Sequence, residues 1–193
     1  MHQQHHQQPL TLVLTMKKFT VLLCLLLSLY GCSDDATSTF SNREHVYCAF
    51  DVLRADVLFN VMGNYGQFAS IRKRAMEGKT QIELVSSTGL KGYYPVDQLS
   101  NNFGLGLGGL IVGTNNFGEA LCYDLACPIC DRSDRRLTLT ADGHAKCAKC
   151  GVNYDLNNYG VIYEVPENAQ LNTRRGLYRY RINFNGQIVN AYN

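Results

Sequence analysis

The sequence predicts an all-β protein built from small antiparallel sheets. Short runs in which apolar and polar residues alternate are separated by turn residues, a pattern typical of β-strands. Two such runs, residues 177–184 and 187–191, flank Asn185-Gly186 and form the clearest hairpin in the chain. Tyrosine occurs 12 times and tryptophan is absent, which fits strands better than a helical bundle.

The N-terminal 31 residues have the features of an export signal. Met16-Lys17-Lys18 is a basic start, so translation is expected to begin at Met16, and the apolar segment 19–30 is too short to span a bilayer. Leu29-Tyr30-Gly31-Cys32 resembles the lipobox of bacterial lipoproteins, although Tyr30 replaces the usual small residue. This resemblance implies that Cys32 carries a lipid. The alternative is a plain secretory peptide that leaves Cys32 free.

Residues 32–43 are rich in Ser, Thr, Asp and Asn and are expected to form a flexible tether. Ser33-Asp34-Asp35 resembles the surface-export signal of lipoproteins in some Gram-negative lineages. That resemblance implies lipid anchoring at the outer membrane or cell surface of a Gram-negative bacterium. Residues 44–193 are enough for a single domain with its own core.

The charge of the mature chain gives no reason to expect nucleic acid as a partner. The formal net charge is +2, and it comes from Lys17 and Lys18 in the signal segment. Without these two residues, basic and acidic side chains are equal in number, so no electrostatic attraction to a polyanion is expected.

Before the cysteine-rich segment, the pattern predicts strands and one short helix. Residues 55–62 carry apolar side chains at helical spacing, and Gly63-Asn64 ends the helix. Polar or turn-rich loops are expected at 73–79, 93–96 and 100–102. Strands are expected at residues 45–52, 67–72, 80–86, 110–113 and 119–124.

A glycine-rich segment, Gly104-Leu-Gly-Leu-Gly-Gly109, precedes one of these strands. A phosphate-binding loop would require a following Lys and Ser or Thr, which are missing here. A tight bend or bulge that leads into the buried strand at 110–113 is therefore expected.

Two Cys-x-x-Cys pairs, Cys127/Cys130 and Cys147/Cys150, lie within residues 121–160 and are separated by sixteen residues. A hairpin with its turn at Ala141-Asp142-Gly143 would bring the two pairs together. Four thiolates at this spacing suit Zn²⁺, a single iron or a small iron–sulfur cluster. A pair of disulfides or free thiols is the alternative, because an exported chain can meet oxidant.

These two cysteine loops resemble the cluster-binding loops of Rieske iron–sulfur domains, and the likeness extends over residues 104–193. It rests on Tyr-Asp-Leu-Ala-Cys127-Pro-Ile-Cys130 and on Cys147-Ala-Lys-Cys150-Gly-Val-Asn-Tyr-Asp, followed by strands that carry Leu177, Tyr180 and Gly186. The resemblance implies a Rieske-like β domain in which Cys127 and Cys147 hold one iron of a [2Fe–2S] cluster. Cys130 and Cys150 would then replace the two histidines that hold the other iron.

Because both histidines are replaced, the sequence does not decide which metal the site holds. The first loop is Cys-x-x-Cys where the family has Cys-x-His, and neither His45 nor His144 occupies a ligand position. An all-cysteine site can hold [2Fe–2S], but it lacks the imidazoles that raise Rieske potentials. It fits Zn²⁺ equally well, in a rubredoxin-like or zinc-ribbon-like hairpin unit.

Three further residues have open roles. His144 lies three residues before Cys147 and could donate to a sulfur or replace a ligand, although a hairpin histidine is more often partly solvated. Cys48 and Cys122 remain after the other cysteines are assigned. They could form a disulfide or be two buried thiols.

No catalytic arrangement is present in the sequence, so an enzyme is not predicted. Two functions of different class remain. The first is an envelope-anchored electron carrier whose [2Fe–2S] cluster passes single electrons to a redox partner. The second is a non-catalytic surface module, in which zinc or disulfides hold loops that bind another envelope protein or a ligand.

The lipid anchor can be tested with the substitution Cys32→Ala. Without the acceptor thiol, the chain should leave the membrane fraction and lose labelling by an alkyne fatty acid. Cys24→Ala, which removes a cysteine of the apolar segment, should keep both properties. Labelling that persists in Cys32→Ala would exclude lipidation at this cysteine.

Overall fold

A computed structural model describes residues 40–167, 169 and 175–193 of the chain. Within these residues the secondary structure is mainly antiparallel β, which confirms the predicted fold class. The signal segment 1–31, Cys32 and residues 33–39 of the predicted tether lie outside the described residues.

The strands are β1 (Val46–Asp51), β2 (Gln67–Met76), β3 (Lys79–Ser86), β4 (Lys91–Tyr94), β5 (Gly104–Leu105), β6 (Leu110–Thr114), β7 (Ala120–Asp124), β8 (Leu137–Leu139), β9 (His144–Cys147), β10 (Asn153–Asp155), β11 (Val161–Glu164), β12 (Arg179–Phe184) and β13 (Ile188–Tyr192). The helices are α1 (Asp56–Gly63) and α2 (Gln98–Asn101).

The larger sheet has the strand order β4-β3-β2-β6-β7-β12-β13-β1-β5. Strand β12 changes its partner along its length, since Tyr180 pairs with β7 whereas Ile182 pairs with β13. Strands near the two ends of the sheet meet, because the ring of Phe50 in β1 packs edge-on against Tyr94 in β4 at 5.0 Å. Both rings belong to the same hydrophobic core, which α1 also joins through residues such as Leu58.

The smaller sheet, in the order β11-β10-β9-β8, forms a subdomain over a second core. Strand β7 separates the two cores: Cys122 faces the main core, whereas its neighbours Leu121 and Tyr123 face the subdomain. The Tyr123 hydroxyl donates to the carbonyl of Leu156 at 3.0 Å and so links the two sheets. The side chains of β7 thus alternate between two buried environments, as expected of a strand covered on both faces.

The predicted hairpins are confirmed. β8 and β9 pair around the turn at Asp142-Gly143, and β12 and β13 pair around Asn185-Gly186. Both turns are specified locally by residues that tolerate positive φ, so their positions are readable from sequence.

Three predicted loops contain regular structure instead. β2 and β3 continue through most of 73–79 and leave only the tight turn Glu77-Gly78, both residues with positive φ. Residues 93–96 include the end of β4, and 100–102 the end of α2. The helix begins with a capping box, in which the Asp97 carboxylate accepts from the Ser100 backbone N–H at 2.8 Å.

The end of the predicted tether, residues 40–43, packs against the domain. The backbone N–H of Ser41 donates to the carbonyl of Arg179 at 2.8 Å, and Arg43 forms an ion pair with Asp131. The domain therefore begins before residue 44. A polar segment of this kind gives no sign of such partners in the sequence, because both contacts depend on distant residues.

No helix in the described part of the chain is long and apolar enough to cross a membrane.

The extended β2–β3 hairpin is held by two ion pairs that share the buried carboxylate of Glu83. Glu83 has a side chain only 7 % exposed and accepts hydrogen bonds from Arg74 at 2.8 Å and from Arg72. Burial alone would raise the pKa of Glu83, but the two guanidinium groups outweigh it and the pKa is lowered from 4.5. The carboxylate therefore stabilises the fold above about pH 4.5, and this contribution is lost as the pH falls through the lower folded-state value.

We expect Glu83→Gln to lower the free energy of unfolding by about 1–2 kcal/mol at pH 7, because two partly exposed guanidinium groups lose their carboxylate. Urea unfolding at pH 7 and pH 3 measures this loss, which should be smaller at pH 3. Glu164→Gln, at an exposed strand position, should change little at either pH. An equal effect of the two substitutions would show that the ion pair does not stabilise the hairpin.

Candidate metal centre

The first cysteine turn, Cys127–Cys130, follows β7 and is fixed by its backbone. The N–H of Cys127 donates to the carbonyl of Arg135 at 2.9 Å, and the N–H of Asp131 donates to the carbonyl of Cys127 at 2.8 Å. Asp131 has φ 53°, which is uncommon for a residue other than glycine. Its carboxylate accepts from the Tyr178 hydroxyl at 2.9 Å.

The second turn, Cys147–Cys150, begins at the end of β9 and has the same backbone pattern. The N–H of Gly151 donates to the carbonyl of Cys147 at 2.9 Å, and Gly151 has φ 76°. Asp131 and Gly151 thus occupy equivalent left-handed positions after the two turns. The two Cys-x-x-Cys segments are two copies of one local structure, which face each other across the site.

The carboxylate of Asp124 connects the first turn to the main sheet. Asp124 is completely buried and accepts hydrogen bonds from the backbone N–H groups of Leu107, Gly108 and Ala126 at 2.7–2.9 Å. A Cβ atom on Gly108 would lie 2.6 Å from the nitrogen of Ala126, so the approach requires glycine. The glycine-rich segment is thus a tight bend, as predicted, and the N–H groups of Leu107 and Gly108 are already bound by Asp124.

The four predicted ligands come together. The Sγ atoms of Cys127, Cys130, Cys147 and Cys150 all lie within 4.8 Å of one another, close enough to hold a metal ion. The separations Cys127–Cys150 and Cys130–Cys147 are 3.6 and 3.7 Å. A disulfide has an S–S distance of about 2.05 Å, so the two turns are not joined by disulfides.

The first cysteine of each turn is buried and the second is partly exposed. Cys127 and Cys147 are 0 % and 1 % exposed, whereas Cys130 and Cys150 are intermediate. The site therefore has an inner side, within the second core, and an outer edge near solvent.

The electrostatic surroundings differ between the sulfurs. Burial would raise the pKa of Cys147, but the backbone N–H groups of Cys150 and Lys149 donate to its sulfur and the pKa is lowered. Burial and the neighbouring Cys127 raise the pKa of Cys130 to about 11, and burial also raises the pKa of Cys150. Burial therefore favours the protonated thiols of Cys130 and Cys150, and a metal that binds all four sulfurs as thiolates must release protons.

Tyr154 in β10 lies beside the inner sulfur. Its hydroxyl oxygen is 3.6 Å from Cys127 Sγ, and the side chain is completely buried. Burial raises the pKa of Tyr154, so the hydroxyl keeps its proton and can donate to a thiolate.

The remaining predicted residues lie elsewhere. His144 begins β9 and Cys147 ends it, and the imidazole Nδ1 lies 3.0 Å from Asp142 Oδ2, so this histidine is not among the four close ligands. Cys48 and Cys122 are both buried free thiols in the main core. The structure therefore has two buried free thiols at these positions and not a disulfide between them.

The sequence alone did not identify Asp124 or Asp131 as supporting residues of the site. Two signals were available in the sequence. Asp124 is a charged residue at the end of a buried strand, and Asp131 follows the first Cys-x-x-Cys turn at the position that Gly151 occupies after the second. Both depend on partners such as Tyr180 and Arg43 that are distant in sequence.

No protein-family model, curated protein or solved structure matches this chain.

Gly151→Ala and Gly78→Ala form a matched pair, because both glycines have φ 76°. A Cβ atom on Gly151 would lie 2.6 Å from Cγ of Pro166, whereas one on Gly78 would meet nothing within 4 Å. Each substitution should cost about 1–2 kcal/mol of stability from the left-handed backbone. Gly151→Ala should in addition weaken metal binding by roughly tenfold or more, because the second turn must shift.

Competition with a chromophoric metal chelator, with added Zn²⁺ as the probe, measures the affinities. Thermal unfolding measures the loss of stability that both variants share. Equal affinity for the probe in the two variants would show that the conformation of the second turn does not control the site.

Proposed function

We propose that the protein is a non-catalytic module of the cell envelope in which Cys127, Cys130, Cys147 and Cys150 bind a single structural zinc ion. The observation that carries this proposal is the mutual closeness of the four sulfurs, all within 4.8 Å. The paired turns offer no fifth protein ligand among the grouped residues, as expected of a closed structural site.

The sulfur separations suit one ion. Four thiolates at the usual Zn–S distance of about 2.3 Å form a tetrahedron with edges of about 3.8 Å. The two shortest separations, 3.6 Å for Cys127–Cys150 and 3.7 Å for Cys130–Cys147, are close to that edge.

A [2Fe–2S] cluster, which the Rieske resemblance implies, would need a wider arrangement. Thiolates on different irons of such a cluster are separated by about 5.5 Å or more. Cys127 and Cys147 would hold one iron, and Cys130 and Cys150 the other, but the shortest separations join cysteines from opposite pairs. The distances therefore favour a single ion.

A structural role agrees with the small size of the subdomain. Its strands, β8 to β11, are only three or four residues long, shorter than the usual five or six. A zinc ion bound by four thiolates contributes on the order of 10 kcal/mol in small zinc domains. Such an ion would hold the two turns together where the short strands alone provide little stability.

A single iron in the same site is a second candidate, and it would make the protein an electron carrier. The observation in its favour is the partial exposure of Cys130 and Cys150, which offers a short path for an electron to a redox partner. The Tyr154 hydroxyl near Cys127 could adjust the potential of such a centre.

The location on the envelope is part of the proposal and is supported by the sequence: a basic start at Met16, an apolar segment and Cys32 at a lipobox-like position. On this view the N-terminal lipid attaches the protein to the membrane, and its binding partner is another envelope protein. The two facing cysteine turns are also the basis for proposing a relationship to Rieske-like domains with both histidines replaced by cysteine.

Elemental analysis tests the metal directly. Protein purified under anaerobic, reducing conditions should contain about one zinc per chain and show no visible absorption. Cys147→Ser should lose most of the metal and loosen the subdomain, whereas Cys48→Ala, outside the site, should keep it. Zinc binding should weaken as the pH falls, because protons compete for the thiolates.

Stoichiometric iron with visible absorption would support the electron carrier instead. The absence of stoichiometric metal from such a preparation would contradict both candidates.

A further inference from the structure

A second site lies on the main sheet, beside α1. A cavity of about 450 Å³ opens between the end of this helix, the start of β2 and the turn after β3. Its volume falls within the range of about 300–1,000 Å³ that is common for small-ligand pockets. Its lining includes Asn60, Asn64, Tyr65, Gln67, Ser86 and Thr88.

The lining has a distinctive chemistry. The lining residues carry three side-chain amides, two aliphatic hydroxyls and the phenol of Tyr65, and none of them is acidic or basic. Side-chain amides and hydroxyls both donate and accept hydrogen bonds. A ligand that matches this lining is neutral and carries many groups of the same dual character.

Some of these polar groups are held in place and others are unused. Asn64 donates to the Asn60 side-chain oxygen at 3.1 Å, and the hydroxyls of Ser86 and Thr88 lie 2.9 Å apart. The amide of Gln67 makes no side-chain hydrogen bond within the described residues, so its donors and acceptor are available to a ligand. The site is thus partly preorganised, which reduces the entropy lost on binding.

Tyr65 is an exposed aromatic residue in the lining of the cavity. Its side chain is 68 % exposed, yet its hydroxyl lies against Gly118, where a Cβ atom would be 3.2 Å from the oxygen. Phe117, the residue before Gly118, is 79 % exposed. Two exposed aromatic residues therefore occur in adjoining loops, and one of them, Tyr65, belongs to the cavity lining.

We propose that this cavity binds a neutral carbohydrate, with a sugar ring stacked on Tyr65 and its hydroxyls hydrogen-bonded to Gln67 and Asn60. A sugar has apolar C–H faces that suit an aromatic ring and a rim of hydroxyls that suit amides. On the protein, the hydroxyls of Ser86 and Thr88 provide further hydrogen-bonding groups in the lining of the cavity.

A peptide fits the cavity less well. Extended peptides commonly bind by adding a strand to a free sheet edge. Here β2 and β3 are each paired on both sides, β2 with β3 and β6, and β3 with β2 and β4. The cavity therefore offers no free strand edge with which a peptide backbone could pair. Among its aliphatic lining residues, Leu90 is the exposed one.

Saturation-transfer NMR of the full chain tests the proposal with a fixed panel: maltoheptaose, cellohexaose, mannohexaose and xylohexaose, with a neutral Gly/Ser/Asn decapeptide as the peptide probe. At least one oligosaccharide should bind and the decapeptide should not. Tyr65→Ala should weaken that binding by roughly tenfold or more, and Gln67→Ala should also weaken it.

Tyr163→Ala is the matched control, because Tyr163 is similarly exposed at 62 % but lies in β11, away from the cavity. Its affinity should equal that of the unmodified chain, and urea unfolding should show that both tyrosine variants are folded. Lack of binding by all four oligosaccharides would overturn the proposal. So would binding that survives Tyr65→Ala, or preferential binding of the decapeptide.

Discussion

The buried carboxylate of Asp124 ties the first cysteine turn to the rest of the fold. It accepts three backbone N–H groups, from Leu107, Gly108 and Ala126, and the hydroxyl of Tyr180 at 2.7 Å. A buried carboxylate is costly unless all such partners are present. The glycine-rich bend, the end of β7 and β12 are therefore fixed relative to one another, and this places Cys127 where the second turn can face it.

Local features of the fold were readable from the sequence. The hairpin turns at Asp142-Gly143 and Asn185-Gly186, and the two Cys-x-x-Cys turns, are specified by adjacent residues. The ends of elements were less predictable, because they depend on distant partners. Residues 73–79 looked like a polar loop, but the charges of Arg72 and Arg74 are satisfied across the hairpin by Glu83, which keeps the strands paired.

The same distinction applies to the site. The four cysteines of the candidate site were identified from their spacing, since a hairpin of suitable length between two Cys-x-x-Cys segments brings them together. The supporting residues were not identified, because the role of Asp131 depends on its backbone conformation and on Tyr178. The family resemblance implied pairs of cysteines on two irons. Our proposal of one ion shared by both turns rests instead on the interleaved sulfur distances.

X-ray absorption at the K-edge of the bound metal, recorded on anaerobically purified protein, tests most directly whether the four thiolates hold a single ion. The account predicts one shell of four sulfurs at about 2.3 Å and no neighbouring metal. A second metal at about 2.7 Å would show a cluster and contradict the account. Nitrogen or oxygen neighbours in place of sulfur would show that one or more of the cysteines is not a ligand, and would contradict it as well.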